Sequence, residues 1–285
     1  LLLILLCLPM IGFCQFTDNF SDGNFVNNPS WMGDVGRFEV DTNFSLHLND
    51  SVASVSSLVT QNQAISNAIW EFSVRLDFSP STNNYAKVYL VSDMIDLSGP
   101  LNGMYVKIGG QSGNVDDISL YTQTGINSNE IIDGVAGLVS NNPDISVKVT
   151  RDTIGNWELF LDTNGIYFTQ GTAFDNSIAS SDYFGVYCKY TVTRSDKFWF
   201  DDFSVTSSSF ILGCIDSLAC NYNSSATLDD GSCSFDTYSY DTLLSNISIV
   251  WNGISLTASG DYSVTLINLA GCDSIVNLNL TVTNT

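Results

Sequence analysis

The chain has 285 residues, 44% of them hydrophobic, and carries thirty acidic residues against nine basic ones, for a formal net charge of −21. All nine Lys and Arg lie between Arg37 and Lys197, and none follows Phe198, which excludes the basic stripe that nucleic-acid binding requires. Only four of the thirty acids are Glu. Asp and Asn favour turns over helices, so the composition predicts a loop-rich β protein.

The chain opens with Leu1-Leu2-Leu3-Ile4-Leu5-Leu6-Cys7-Leu8-Pro9-Met10-Ile11-Gly12-Phe13-Cys14. A bilayer span needs roughly 20 apolar residues, and this run is shorter. It reads as the apolar region of a secretory signal peptide, residues 1–14, that lacks its basic start. Export predicts an extracellular or outer-surface chain with five cysteines, Cys188, Cys214, Cys220, Cys233 and Cys272. The missing initiator Met and a final strand that runs to the last residues suggest a fragment of a longer protein.

From 15 to 207, short alternating segments are broken by Gly, Asn, Asp and Pro. In "AIWEFSVRLDF" (68–78), Trp70, Phe72, Val74, Leu76 and Phe78 line one face. "YAKVYLVSD" (85–93), "GMYVKIGG" (103–110) and "DISLYTQT" (117–124) repeat the period of two. Residues 145–168 read as three strands with a turn at Asn164-Gly165, and 182–205 as a final long hairpin. In "FWFDDFSV" the apolar phase slips by one residue at Asp201-Asp202, which predicts a β-bulge. The spacing predicts an all-β fold: a two-sheet jelly-roll sandwich. His47, the only histidine, alternates outward from Phe44, Leu46 and Leu48 on a surface strand. Cys188 shares a face with Val186 and Tyr190, as a buried free thiol would.

A Cys/Asp-rich connector follows at 208–234, "GCIDSLACNYNSSATLDDGSC" at its centre. A small β module fills 235–285, with Val276, Leu278, Leu280 and Val282 in alternation. So small a unit needs a disulfide or a neighbour. Cys214, Cys220, Cys233 and Cys272 allow three two-bridge pairings, and spacing does not choose among them.

"FTDNFSDGNFVNNPSWMGDVGRFEV", "NYAKVYLVSD…DLSGPLNGMYVKIGG" and "YFGVYCKYTVTRSDKFWFDDFSV" together resemble one jelly-roll domain of large secreted multi-module proteins of gliding bacteria. That domain is similar to the concanavalin A-like lectin/glucanase superfamily. The Cys/Asp segment and "VWNGISLTASGDYSVTLINLAGCDSIVNLNLTV" resemble repeats of the same exported proteins. The resemblance implies a jelly-roll fold and export by type IX secretion. It leaves activity open, because one sandwich fold hosts lectins, hydrolases and inert spacers.

Glycoside hydrolysis needs two carboxylates flanking the scissile bond. Glu39, Glu71, Glu130 and Glu158 have no second Glu nearby, and Glu71 has only Asp77 on its face. Three cysteines without CxxC or a nearby His exclude a zinc site. Calcium is the metal candidate. Asp216, Asn221, Asn223, Asp229 and Asp230 offer closely spaced oxygens, the alternative being an Asx-turn loop stapled by cysteines. Pairing of the first and last strands would gather a second carboxylate set, Asp18, Asp22, Asp201 and Asp202, the alternative being a solvated acidic edge. Tyr85, Tyr89, Tyr121, Tyr187 and Trp199 are glycan-binding candidates, against a core or cross-strand role. The sequence thus predicts a secreted or cell-surface, non-catalytic binding or adhesin-type protein. Its partners would be extracellular glycans or surface polymers. The alternatives are a carbohydrate-binding module of a polysaccharide-degrading system and a glycoside hydrolase.

Overall fold

Strands begin wherever a period-two apolar run meets a turn, and the computed structural model describes them for residues 13–208, 213–224, 226, 229–269 and 271–283. The signal-peptide reading of 1–14 falls almost wholly outside these residues. The chain divides into two compact units, one of Gly12–Ser209 and one that contains Phe210–Thr285. No helix among the described residues is long and apolar enough to cross a membrane.

The first unit is built, in chain order, from β1 (Phe13–Asp18), β2 (Met32–Gly33), β3 (Phe38–Val40), β4 (Leu46–Leu48), β5 (Ser54–Gln61), β6 (Ala68–Leu76), β7 (Tyr85–Ser92) and β8 (Leu101–Ile108). It continues with β9 (Ile118–Gly125), β10 (Asn127–Ile132), β11 (Asp144–Arg151), β12 (Asn156–Asp162), β13 (Phe168–Phe174), β14 (Tyr183–Tyr190) and β15 (Phe198–Ser208). One sheet has the order β13-β12-β11-β6-β15-β4-β3, with β1 also paired to β15; the other has the order β10-β9-β8-β7-β14-β5-β2. The fold is the two-sheet jelly-roll sandwich that the alternation predicts.

The core lies between the sheets. Trp70, Phe72, Val74 and Leu76 of β6 point inward with Phe198, Phe200, Phe203 and Val205 of β15. Val88, Val106, Leu120, Phe184 and Val186 meet them from the other sheet. Fully burying each such side chain contributes about 1.5–3 kcal/mol. Cys188 is buried and free among them.

Two details differ from the sequence expectation. The segment 182–205 is not a hairpin: β14 pairs with β5 and β7, whereas β15 pairs with β6, β4 and β1. The chain crosses between sheets through a 3-10 turn at Val192–Arg194. Tyr190 and Phe198 therefore face one another across the core, ring centroids 6.1 Å apart. Both strands bury one apolar face, which alternation alone reads as a pair. Phe44 is exposed rather than inward, because it occupies a left-handed turn position (φ +62°) ahead of β4.

The second unit holds β16 (Thr237–Ser245), β17 (Ile249–Trp251), β18 (Ile254–Leu256), β19 (Gly260–Ile267) and β20 (Asp273–Val282). β20 lies between β16, which is parallel to it, and β19, which is antiparallel. Its core is small: Leu256, Leu278 and Leu280, flanked by Ile249, Trp251, Tyr262 and Val282. Disulfides join Cys214 to Cys233 and Cys220 to Cys272, a pairing the spacing left open. The second bridge ties the Cys-rich segment to the start of β20 across 52 residues. Cross-linking a loop of that length removes about 4 kcal/mol of unfolded-state chain entropy.

Two expected outcomes test this packing. Gly185 of β14 leaves no room for a side chain, since a Cβ there would lie 2.6 Å from the Leu58 carbonyl oxygen and 2.7 Å from Val59 Cγ1. Gly185→Ala should cost about 1–3 kcal/mol in denaturant unfolding; an unchanged midpoint would contradict the register. Replacing Cys220 and Cys272 together by Ser should expose 213–283 to limited proteolysis while 13–208 resists; equal resistance of both units would contradict the role given to this bridge.

Candidate functional site

The slip at Asp201-Asp202 shapes a polar region of the jelly roll. Before it, β15 pairs with β4 (Trp199↔His47, Phe200↔Leu46). After it, the same edge pairs with β1 (Asp18↔Phe203 to Phe13↔Ser208). The register to β6 shifts between Asp201 and Ser204. Asp202 takes φ +51°, a left-handed conformation that Asp and Asn adopt more readily than most residues. One extra residue thus turns both neighbouring carboxylates outward while Phe200 and Phe203 stay buried.

A loop of Asx turns adjoins the slip. Asp18 Oδ1 accepts from Phe20 N (3.0 Å), Asn19 Oδ1 from Ser21 N (3.2 Å) and Asp22 Oδ1 from Asn24 N (3.1 Å). Trp31 Nε1 donates to Asp18 Oδ2 at 2.8 Å. Phe203 anchors the loop, its ring 5.9 Å from Phe20 and 5.2 Å from Trp31. Between loop and strand opens a cleft of about 410 Å³, lined by Asn19, Asp22, Asn28, Asp202 and their neighbours. A second cleft, of about 360 Å³, lies on the other side of the slip and is lined by Asn43, Arg75, Asp144, Trp199, Asp201 and Asp202 among others. Asp202 borders both. No side-chain hydrogen bond engages its carboxylate among the described residues, whereas Asp201 accepts from Ser45 Oγ at 2.9 Å.

The carboxylates Asp18, Asp22, Asp201 and Asp202 therefore share one neighbourhood, as strand pairing predicted. Burial raises the Asp18 carboxyl above the usual range, against its hydrogen bonds to Trp31 and Phe20 and with the charges of Asp22 and Asp201 adding to the rise. Burial raises Asp201 too, with further pressure from Asp202 and Asp41. These four do not converge as a metal cage; among the described residues no group of three or more His, Cys, Asp or Glu side chains does. Both Asp18 oxygens are occupied by N–H donors.

The connector candidates lie in turns. Asp216 Oδ1 accepts from Leu218 N, Asp229 Oδ1 from Gly231 N and Asp230 Oδ1 from Ser232 N, all at 2.9–3.0 Å. Asn221 Oδ1 accepts from Ser234 N and its Nδ2 donates to the Ser232 carbonyl. The Asn223 backbone N–H bonds the Cys214 carbonyl. Asp216, Asn221, Asp229 and Asp230 cap turns around the disulfides, each through one side-chain oxygen that accepts from a backbone N–H.

The aromatic candidates separate. Trp199 lies on the outer face of the first sheet, between His47 (ring centroids 4.6 Å, 3° apart) and the Arg75 guanidinium (4.0 Å from its ring). Those partners come from the two flanking strands, so both indole faces are covered and only its edge meets the cleft. Trp199 Nε1 donates to Asp41 Oδ2 at 3.2 Å. His47 also sits 3.2 Å from Glu39 Oε1. The tyrosines lie instead on the outer face of the second sheet, where a row of cross-strand neighbours runs Tyr89–Tyr105–Tyr121–Glu130. Tyr89 and Tyr187 are buried, which removes them as stacking platforms; Tyr85 and Tyr121 are half-buried. Leu97 and Leu101 cover the Tyr89 end, and Tyr89 OH donates to Gln123 Oε1 at 2.8 Å. Burial raises all five phenols, including Tyr105, which the alternation in "GMYVKIGG" placed but did not single out. Lys87 Nζ lies among the rings, 4.0 Å from the Tyr105 centroid, and burial together with Lys107 lowers it to about 8.

No family model matches the chain, and no curated protein matches it in sequence. Solved structures do. The metal-free VIP36 exoplasmic/lumenal domain superposes with a TM-score of 0.52 over 70% of this chain and 93% of its own, at 10% identity. The Emp47p carbohydrate recognition domain gives 0.51, covering 68% and 93% at 11% identity. The potassium-bound Emp46p carbohydrate recognition domain gives 0.51, covering 70% and 98% at 12% identity. The VIP36 domain has also been solved with Ca2+ and Man3GlcNAc bound. Identities this low establish a shared jelly-roll fold. The likeness carries no calcium site over to this chain, and nothing below is routed through one.

The raised Asp201 carboxyl sets a pH dependence. Its neutral form is favoured in the fold, so its contribution is complete below the ordinary carboxylate pKa and is lost as pH rises through the raised value. Asp201→Asn should melt at or above wild type near pH 7 and lose part of the wild-type gain on acidification to about pH 4. Parallel melting curves for the two proteins over that range would contradict the assignment.

Proposed function

We propose that the chain is an extracellular, non-catalytic recognition protein whose jelly-roll unit binds glycans at the two clefts that meet at Asp202. The observation that carries this reading is the outward Asp202 carboxylate, which takes no side-chain hydrogen bond among the described residues and is shared by two clefts lined largely by Asn, Ser, Thr and Asp, with Arg75, Trp199 and a few apolar side chains. Sugar hydroxyls are recognised by such acceptors and amides, each hydrogen bond to a charged group contributing about 1.5–3 kcal/mol. The similarity of fold to carbohydrate recognition domains supports the ligand class, and two disulfides support an oxidising compartment.

The glutamates supply no acid–nucleophile pair, which leaves only Asp pairs for bond cleavage. Glu39 meets His47, Glu71 lies 3.9 Å from Lys148 Nζ, and Glu130 accepts from Tyr121 OH. These three and Glu158 sit on four different strands, β3, β6, β10 and β12. A glycosidase needs two carboxyl groups across one scissile bond.

Asp202→Asn preserves the left-handed backbone and removes only the charge. On a glycan array the wild-type chain should retain specific glycans, and Asp202→Asn should bind them roughly tenfold more weakly with an unchanged melting temperature. Equal binding by the variant, or no glycan retained by the wild type, would overturn the reading.

A further inference from the structure

The outer face of the second sheet gathers three of the nine basic residues of this acidic chain. Lys87 of β7 lies directly opposite Lys107 of β8, and Lys189 of β14 opposite Tyr85 of β7. Like charges placed opposite one another across strands are destabilising unless something offsets them. None of the three lysines forms an ion pair among the described residues; the bridges found there involve Arg37, His47, Lys148 and Lys197. Their ammonium groups have only uncharged hydrogen-bond partners. Lys87 Nζ is 3.4 Å from Tyr89 OH, Lys107 Nζ is 3.3 Å from the Gly110 carbonyl, and Lys189 Nζ is 3.1 Å from the Thr82 carbonyl.

The carboxylates in reach are otherwise engaged. Glu130 accepts from Tyr121, Asp117 from Ser119 and Gln111, and Asp116 from the Gln111 N–H. They favour the charged form of Lys107 from a distance and do not act on Lys87. Tyrosine rings pack around the ammonium groups, with Tyr85 half-buried at the surface. Lys107 and Lys189 lie 5.2 and 5.6 Å from the Tyr85 ring, and Lys87 lies 4.0 and 5.1 Å from those of Tyr105 and Tyr187. Each lysine is half-buried, and the Lys189 ammonium lies at the exposed end of the group.

We propose that this face is a second binding site, separate from the Asp202 clefts, that takes an anionic saccharide, with its carboxylate or sulfate held by Lys87, Lys107 and Lys189 and a sugar ring against Tyr85. The charge pattern selects the ligand: an anion neutralises the opposed lysines, and the aromatic rim accepts the apolar face of a sugar. The inference rests on the glycan-binding reading for the ligand class alone. Its residues lie on the other sheet.

The test uses the full chain in isothermal titration against polygalacturonate, dextran sulfate and unmodified dextran, in low salt. A net charge of −21 repels polyanions as a whole, so retention of either anionic polymer requires a local cationic site. The expected result is binding to at least one anionic polymer and none to dextran. Binding to polygalacturonate assigns a carboxylate, and binding to dextran sulfate a sulfate. Lys87→Met and Lys189→Met should each weaken it roughly tenfold, while Asp202→Asn leaves it unchanged. Lys189 lies nearer the rim, so its variant reports even where Lys87→Met fails to fold. No binding to either polyanion, or full binding by Lys189→Met, overturns the inference. Loss on Asp202→Asn would overturn the separation of the two sites.

Discussion

One strand has to keep aromatic side chains in the core along its whole length while its outer edge changes partner. β15 does this by inserting one residue. Phe198 and Phe200 point inward beside β4, and Phe203 and Val205 point inward beside β1. Strict alternation would turn the second pair out to solvent, exposing a fully buried phenylalanine at a cost of about 1.5–3 kcal/mol. The slip at Asp201-Asp202 resolves this, and it leaves a left-handed residue that borders two clefts. Core packing and site geometry thus follow from the same extra residue.

The two outer faces of the sandwich then do different work. On the first sheet the row Glu39–His47–Trp199–Arg75–Asp144 alternates acid, imidazole, indole, guanidinium and acid across neighbouring strands. Stacking holds Trp199 edge-on, and its indole N–H fixes Asp41 at the turn beside the cleft. On the second sheet, tyrosines pack into a small second core with Leu97 and Leu101, and their rings flank the lysine ammonium groups without neutralising them. The C-terminal unit follows another logic, because its few buried leucines need covalent ties.

Local signals were legible in the sequence, and long-range ones were not. The phase slip in "FWFDDFSV" showed the bulge, because a broken alternation is visible within eight residues. Pairing of first and last strands followed from the fold class. The membership of β14 and β15 in different sheets did not show, since each buries one apolar face in the same core whichever neighbour it has. Trp199 read as an exposed platform because the residues that cover it, His47 and Arg75, come from distant strands. The Asp and Asn oxygens of the connector suit a cation and a backbone N–H equally well, and only the folded loop shows that turns use them. Lysines scattered through three alternating strands gave no hint that register would gather them.

The central claim is that the slip in β15 creates the recognition site. Titrating a ¹⁵N-labelled chain with an oligosaccharide retained by the wild type tests it most directly. The account predicts amide shifts concentrated at Asn19, Asp22, Asn43 and Asp202, on both sides of the slip. Shifts confined to other loops, with these four signals unmoved, would contradict it.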